Sequence, residues 1–439
     1  MSNYNDFEKF IKENQHICPR PRVSYNIRKI GSNDKTKVTC CCNLDTNNVN
    51  TEYDFEFIDN LANQFDKKEL PKECNLCWRD ESKGLMSERI RHLLPFNIDY
   101  TPDIIPAYEK IVSSNFEIGA KLGNKCNLAC RSCGSWDSTF FKKLHNIPDR
   151  IDNVNMELDN ISIELIKEKI LEKLKIHEYT YFHPIGGEAL LYDEMHDIID
   201  WAIENNLNEK LCLRFTTSFA SRINEEFFTK ISKFKRVEMS LSIDSVYSNY
   251  EIVRYPIKFE KIERNLNLFF DKFSKFKNIQ LIITPVFSLN NIFYIDDYLN
   301  YFDNLSKINN YNFMITNIHL YRPDYLKIEI LPDEYKNYLI QILENSLKIE
   351  ITNNPLSTVI NNFIRTTIEH LKNNPQSKNN NRLFKKFLKF TAYYDKKTNQ
   401  NSFQLNSKLF SLLDSESVNI YKSTYDEINV DGYYPDFVN

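Results

Sequence analysis

Glycine is the main shortage in this sequence: 8 residues in 439, about a quarter of the ~7% ordinary usage. A coding bias toward Asn, Lys, Ile, Phe and Tyr accounts for it and says nothing about fold. Scarcity makes the remaining glycines informative. Gly119, Gly123, Gly134, Gly186 and Gly187 crowd into one central stretch, where the backbone must need positive φ or close approach. Long apolar runs are also missing, none approaching the ~18 residues of a membrane span. The opening MSNYNDFEKFIKEN is too charged for a signal peptide. The expectation is a cytoplasmic chain without membrane contact. Nor does one charge sign dominate: the net charge of -4 does not indicate a nucleic-acid surface. No internal repeat is visible.

Cysteine, by contrast, is plentiful, at 10 residues. In a long chain with no secretory signature these are better read as metal ligands or reactive thiols than as a disulfide framework. They fall at Cys18, at Cys40, Cys41 and Cys42, at Cys74 and Cys77, at Cys126, Cys130 and Cys133, and at Cys212. A chain of this length predicts two or three domains. Cysteine distribution suggests a cysteine-rich N-terminal domain over 1–110, a central region over 111–330 and a mainly helical extension over 331–439.

The central region reads as strands alternating with amphipathic helices. Strands are expected at 116–123, 178–185, 211–218, 237–244, 279–287 and 313–320. Between them, sets such as Ile163, Ile166, Ile170 and Leu174 share one helix face. That order implies an α/β fold with right-handed crossovers and a mostly parallel sheet. Val237, Met239, Leu241 and Ile243 alternate with Glu238, Ser240, Ser242 and Asp244. Polar alternation in parallel strands suggests a barrel-like sheet with a polar interior, and half-exposed antiparallel strands are the other reading. The segment NNPQSKNNNR at 373–382 reads as a loop, the stretch FKKFLKFTAYYDKK after it as helical packing, and YYPDFVN as a non-helical end.

Cys126-Asn-Leu-Ala-Cys130-Arg-Ser-Cys133 follows the first central strand directly. Three thiolates so spaced can each take one iron of a 4Fe-4S cube and leave the fourth iron open. Tetrahedral zinc is the competitor, with His145 available to complete the set. With Gly186-Gly187-Glu188 and Ser242-Ile243-Asp244 at the ends of later strands, this loop resembles the radical S-adenosylmethionine (SAM) superfamily. The resemblance implies a partial (β/α)6 TIM-like barrel, and a cluster that reductively cleaves SAM to a 5'-deoxyadenosyl radical, which abstracts hydrogen from substrate. It also implies cofactor contacts from Gly186, Gly187, Glu188, Ser218, Ser242 and Asp244, and an electron donor such as a flavodoxin or ferredoxin. Arg254 could pair with the methionine carboxylate or be a surface cation. Gly119 and Gly123 would leave room beneath the cluster. Trp136, His183 and Cys212 have packing roles as their simplest reading.

An early Cys18-Pro, then a strand ending in paired cysteines, then Pro-Lys-Glu-Cys74-x2-Cys77 before a charged helix resemble auxiliary-cluster domains of the SPASM or Twitch type, here placed before the barrel. That resemblance implies Cys18, Cys41, Cys74 and Cys77 as ligands of an auxiliary 4Fe-4S cluster. Cys40 and Cys42 compete with Cys41, and zinc competes with iron. It makes a peptide or protein substrate the first expectation and a nucleotide or sugar the second. A reading from another class is a non-catalytic, zinc-stabilised binding protein that uses the basic segment at Lys385 to Lys389.

Overall fold

A computed structural model describes residues 12–29, 36–41, 44, 54–82, 87–93, 104–148, 157–316, 320, 322–349, 357–373 and 375–431. Period-2 alternation builds its strands: Val237, Met239 and Leu241 are all fully buried on one face of their strand. Eight strands are described: Ser24–Lys29 (β1), Thr36–Thr39 (β2), Asn115–Lys121 (β3), Tyr179–Ile185 (β4), Leu211–Thr217 (β5), Arg236–Leu241 (β6), Ile279–Ile283 (β7) and Met314–Ile315 (β8). Their order in the sheet is β2-β1-β3-β4-β5-β6-β7-β8. β1 pairs antiparallel with β2 and parallel with β3, and β3 with β4, β4 with β5, and β7 with β8 are parallel. The α/β expectation holds. β2 is the strand expected to run into the paired cysteines, whereas β1 was not expected: its short polar stretch SYNIRK offers only Tyr25 and Ile27 as an apolar face.

The molecule divides into two compact units, neither continuous in sequence: 1–123, 154–215 and 233–237, and 124–153, 216–232 and 238–439. In the first, Ile118, Ala120, Phe182 and Leu213 pack beneath helices Asn160–Lys173 and Asp193–Glu204, whose Ile166, Ile170, Met195 and Ile198 are buried. Asp159 caps the first of these helices by accepting the Ser162 N–H. The core of the second unit is aromatic. Phe228 stacks on Phe273 with centroids 4.8 Å apart, and Phe270, Tyr311 and Phe313 meet edge to face. The abundant Phe and Tyr therefore form the packing of this unit.

Its C-terminal part is helical: Asp333–Ser346, Ser357–Asn373, Lys378–Thr398 and Ser415–Glu427. The expected loop over 373–382 is shorter than its composition suggests. Ser377 accepts the Asn380 N–H and starts a helix that carries the asparagine run in its first turn. The end YYPDFVN lies outside the described residues, as do 317–319 of the last expected strand. Among the described residues, no helix is long and apolar enough to cross a membrane.

Close approach, not positive φ, explains three of the clustered glycines, Gly119, Gly123 and Gly186. Gly119 lies opposite Asn26 in the β1–β3 register, and a Cβ there would overlap the Asn26 side chain. The space expected beneath the cluster is therefore filled by a neighbouring strand. A Cβ on Gly186 would come within 3.1 Å of the Gly123 carbonyl, and one on Gly123 within 2.8 Å of the Tyr192 hydroxyl. Left-handed positions are held instead by Asn146, Asn206, Asn310 and Asn399, among others. Asparagine tolerates this region better than other non-glycine residues.

One polar residue on the sheet stands out for its setting. Glu117, in the middle of β3 and buried, accepts from Arg20 at 3.1 Å and Arg214 at 2.5 Å, and lies 3.4 Å from the His183 imidazole. Burial opposes its ionisation, but His183, Arg20 and Arg214 together hold its carboxyl well below the usual range. His183 thus faces the Glu117 carboxylate, beyond the packing role first read for it.

Candidate active site

The cysteine loop begins three residues after Gly123 and is pinned along its length. Thr139 Oγ1 donates to the Cys126 carbonyl at 3.3 Å, and the Ser138 hydroxyl donates to the Leu128 carbonyl. The Asn127 amide donates to Ser221 Oγ at 2.8 Å. Backbone N–H groups of Ala129 and Arg131 donate to the carbonyls of Tyr255 and Val253 at 2.9 and 3.2 Å. A turn from Cys130 O to Cys133 N, 3.0 Å, closes the motif. The loop is held open by these contacts, with no regular structure of its own. Cys130 is buried while Cys126 and Cys133 are partly exposed. Burial pushes the Cys133 thiol well up, and Cys130, Asp137 and Cys126 act in the same direction.

Arg254 is not a surface cation. It lies just after the helix Tyr247–Val253, and its Nε donates to Asp244 Oδ2 at 2.6 Å while Nη1 reaches Cys130 Sγ at 3.6 Å. Burial works against its charge, but Asp244 and Cys130 more than offset this and raise its pKa well above the ordinary arginine value. Asp244 is fixed in turn: the Val286 N–H donates to its Oδ1 at 2.9 Å and the Asn291 amide to its backbone carbonyl at 2.6 Å. Ser242 and Ser218 lie directly past the ends of β6 and β5, and the Ser242 N–H donates to the Thr217 carbonyl at 2.9 Å. Phe219, directly after Ser218, and Tyr247 both adopt left-handed φ, 59° and 54°. That conformation is costly for bulky residues, and strain of this kind concentrates at functional ends of strands.

Gly186, Gly187 and Glu188 form the turn after β4, in the other compact unit. Glu188 is buried, and its side chain accepts the Leu190 N–H at 3.4 Å as cap of a 3-10 turn. Cys212 is wholly buried within β5.

His145 is a packing residue. It is fully buried, its ring is 4.2 Å from Phe141 and 5.0 Å from Tyr394, and Nδ1 is 2.9 Å from the Tyr393 hydroxyl. Those contacts displace the expectation that it completes a zinc set. Burial, then Lys397 and Arg131, push its pKa down to about 3. A histidine neutral when folded and protonated when unfolded contributes its full stability above the unfolded value of ~6.5. The contribution is lost progressively as pH falls from there toward 3. Guanidinium midpoints measured at pH 7.5 and pH 5.0 should therefore drop more in the wild type than in His145→Phe, and equal drops would refute the assignment.

A second thiol group lies in the first unit. Cys18, Cys40, Cys41, Cys74 and Cys77 line one cavity with Arg20, Arg89, Phe65 and Trp78. Cys42 lies outside the described residues. Burial pushes Cys18 up to about 12, opposed by the Arg20 backbone N–H that bonds its sulfur. Burial, then Cys18, pushes Cys40 up to about 12. Cys77 is raised by burial and receives the Arg89 backbone N–H. N–H groups aimed at sulfur are what a thiolate ligand needs. Arg20 donates to both the Cys40 carbonyl, at 2.9 Å, and Glu117, which ties this cavity to β3. Among the described residues no three Cys, His, Asp or Glu side chains lie together closely enough to hold a single metal ion.

Sequence reasoning missed two parts of this arrangement. One is the Glu117 hub. The other is the pairing of Arg131, inside the cysteine motif, with Asp395 in the C-terminal helix, 2.5 Å apart and both fully buried. A charged residue between two buried-site cysteines, and a single acid in the basic run FKKFLKFTAYYDKK, were the available signals.

No protein-family model matches the chain, and no curated protein does either. Among solved structures it is similar to native anSMEcpe with bound AdoMet and Cp18Cys peptide, with 18% identity, 53% of this chain and 60% of that chain covered, and a TM-score of 0.36. It is similar to native anSMEcpe with bound AdoMet at the same identity, coverage and TM-score. It is also similar to Streptococcus suis SuiB bound to S-adenosylmethionine, with 14% identity, 56% and 49% covered, and a TM-score of 0.34. The matched region thus spans about three fifths of the first solved chains.

Proposed function

We propose that this protein is a radical SAM enzyme. The observation that carries the reading is the pinned Cys126, Cys130 and Cys133 loop, with Arg254 held between Asp244 and the Cys130 sulfur. The donor set fits a 4Fe-4S cluster: three cysteines at close spacing on one loop, and a buried cation beside one of them to offset thiolate charge. Such a cluster, held by those cysteines, would supply one electron to the SAM sulfonium and so break its C–S bond to methionine and a 5'-deoxyadenosyl radical. The chain's own residues bind and orient. Gly186 and Gly187 let backbone approach the cofactor's ammonium group, with Glu188 beside it. Ser218, Ser242 and Asp244 lie at or just past the ends of β5 and β6, where parallel α/β sheets keep ligand groups. Arg254 holds the Asp244 carboxylate in place through its Nε. The sheet is proposed to curve into a partial barrel around that site. Electrons would come from a small redox protein of the flavodoxin or ferredoxin kind.

Cys18, Cys74 and Cys77, with Cys40 or Cys41, are proposed to hold an auxiliary 4Fe-4S cluster. The depth of Cys40 and its coupling to Cys18 make it a rival to Cys41 for the second position. The proposed substrate is a peptide or protein.

Anaerobic reconstitution tests this reading. The expected product is brown, absorbs near ~400 nm and holds about eight irons per chain, four for each cluster. With a reductant and SAM it should release 5'-deoxyadenosine. Stoichiometric zinc with no iron after anaerobic purification, or an iron-loaded protein that leaves SAM intact, would overturn it.

A further inference from the structure

Arg131 occupies an unusual place: between two candidate cluster ligands, yet with a side chain wholly removed from solvent. A buried guanidinium costs several kcal/mol unless it is paired. Its partner comes from 264 residues away in sequence, where Asp395 Oδ1 accepts from Nη2. Gln400 Oε1 adds a longer contact at 3.3 Å, and the Tyr394 ring lies 4.7 Å from the guanidinium carbon. Asp395 is itself held by the Ser402 N–H and hydroxyl at 2.7 and 3.0 Å and by the Tyr421 hydroxyl at 2.7 Å. Tyr394 also donates its hydroxyl to the Ala129 carbonyl, one residue before Cys130. On its other side the loop backbone is bonded to residues 253 and 255, which flank Arg254. The Cys130–Cys133 turn is thus gripped between that segment and the helix Lys378–Thr398.

Two N–H groups of Arg131, at Nε and Nη1, are buried and find no hydrogen-bond partner among the described residues. Buried donors are rarely left so. A cluster ligated by the flanking thiolates carries net negative charge, the kind of acceptor these donors lack.

The geometry points to Asp395 as a positioning residue: acting through Arg131, the C-terminal helix sets the conformation of the cysteine loop and the charge felt by whatever Cys130 and Cys133 ligate. The second half of this rests on the radical SAM reading, whereas the first half does not. The extension is therefore a working part of the site, though it contributes no group to the chemistry.

Two measurements on the full-length chain separate these halves. In the metal-free protein, alkylation by iodoacetamide is followed at each cysteine by mass spectrometry. Asp395→Asn should label Cys130 and Cys133 faster by about tenfold, the scale of a local opening. Cys212, buried in β5, should keep its wild-type rate, and Asp395→Glu should restore protection. If Asp395→Asn is insoluble, the neutral pair Arg131→Gln with Asp395→Asn carries the same comparison. In the reconstituted protein, Arg131→Gln should move the cluster midpoint potential to a more negative value, because a lost neighbouring positive charge disfavours the reduced state. Unchanged labelling, labelling that rises equally at Cys212, or an unchanged midpoint in Arg131→Gln would overturn the inference. A wild type whose labelling follows expectation but which takes up no iron would sink the radical SAM reading while leaving the loop clasp standing.

Discussion

Cys126→Ala is expected to reduce 5'-deoxyadenosine formation to background and to lower the iron content by about four atoms per chain. Each thiolate of the loop would hold a separate iron, so no remaining ligand can substitute for a missing one. Cys126, like Cys133, is partly exposed, and its backbone carbonyl and N–H are bonded to Thr139. Its side chain therefore contributes little packing, and the fold should tolerate alanine. Cys212→Ala is the matched control, a buried thiol within β5, expected to retain all iron and all SAM cleavage. If Cys126→Ala kept its iron and its 5'-deoxyadenosine, the loop would not be the catalytic centre. If both variants lost iron together, the effect would be one of folding.

The central strands were legible because alternation over six to eight residues is a local signal, and β3 to β7 lie where that alternation places them, with shorter ends. The cysteine spacing was legible for the same reason. What escaped was the set of contacts made across the chain. Asn26 occupies the space that Gly119 leaves, which follows only from the pairing of β1 with β3. Glu117 appears as one more polar residue on a strand until Arg20, His183 and Arg214 are brought around it. Asp395 sits in a stretch that reads as helical packing with no indicated partner, and only the tertiary fold turns it toward Arg131. Composition misled at 373–382, where asparagine reads as loop but one serine cap suffices to start a helix.

Arg254→Met should be the most damaging change outside the cysteines, and it separates stability from function. The Arg254 and Asp244 side chains are 14% and 2% exposed, so removing the cation leaves a carboxylate buried without its counter-charge, at a cost of about 3–5 kcal/mol. Asp244 would still accept the Val286 N–H, a bond too weak to replace an ion pair. The denaturation midpoint of Arg254→Met should fall sharply. Adding Asp244→Asn removes the stranded charge and keeps an acceptor for Val286, so the double variant should recover most of that loss. It should not recover SAM cleavage. Cys130 would still lack the guanidinium 3.6 Å from its sulfur, and the proposed cofactor would have lost both a carboxylate and a cation from its site. Stability and 5'-deoxyadenosine formation should therefore part company in the double variant. A double variant that cleaved SAM at the wild-type rate would reduce Asp244 and Arg254 to a structural ion pair and move the cofactor's polar contacts elsewhere on the sheet.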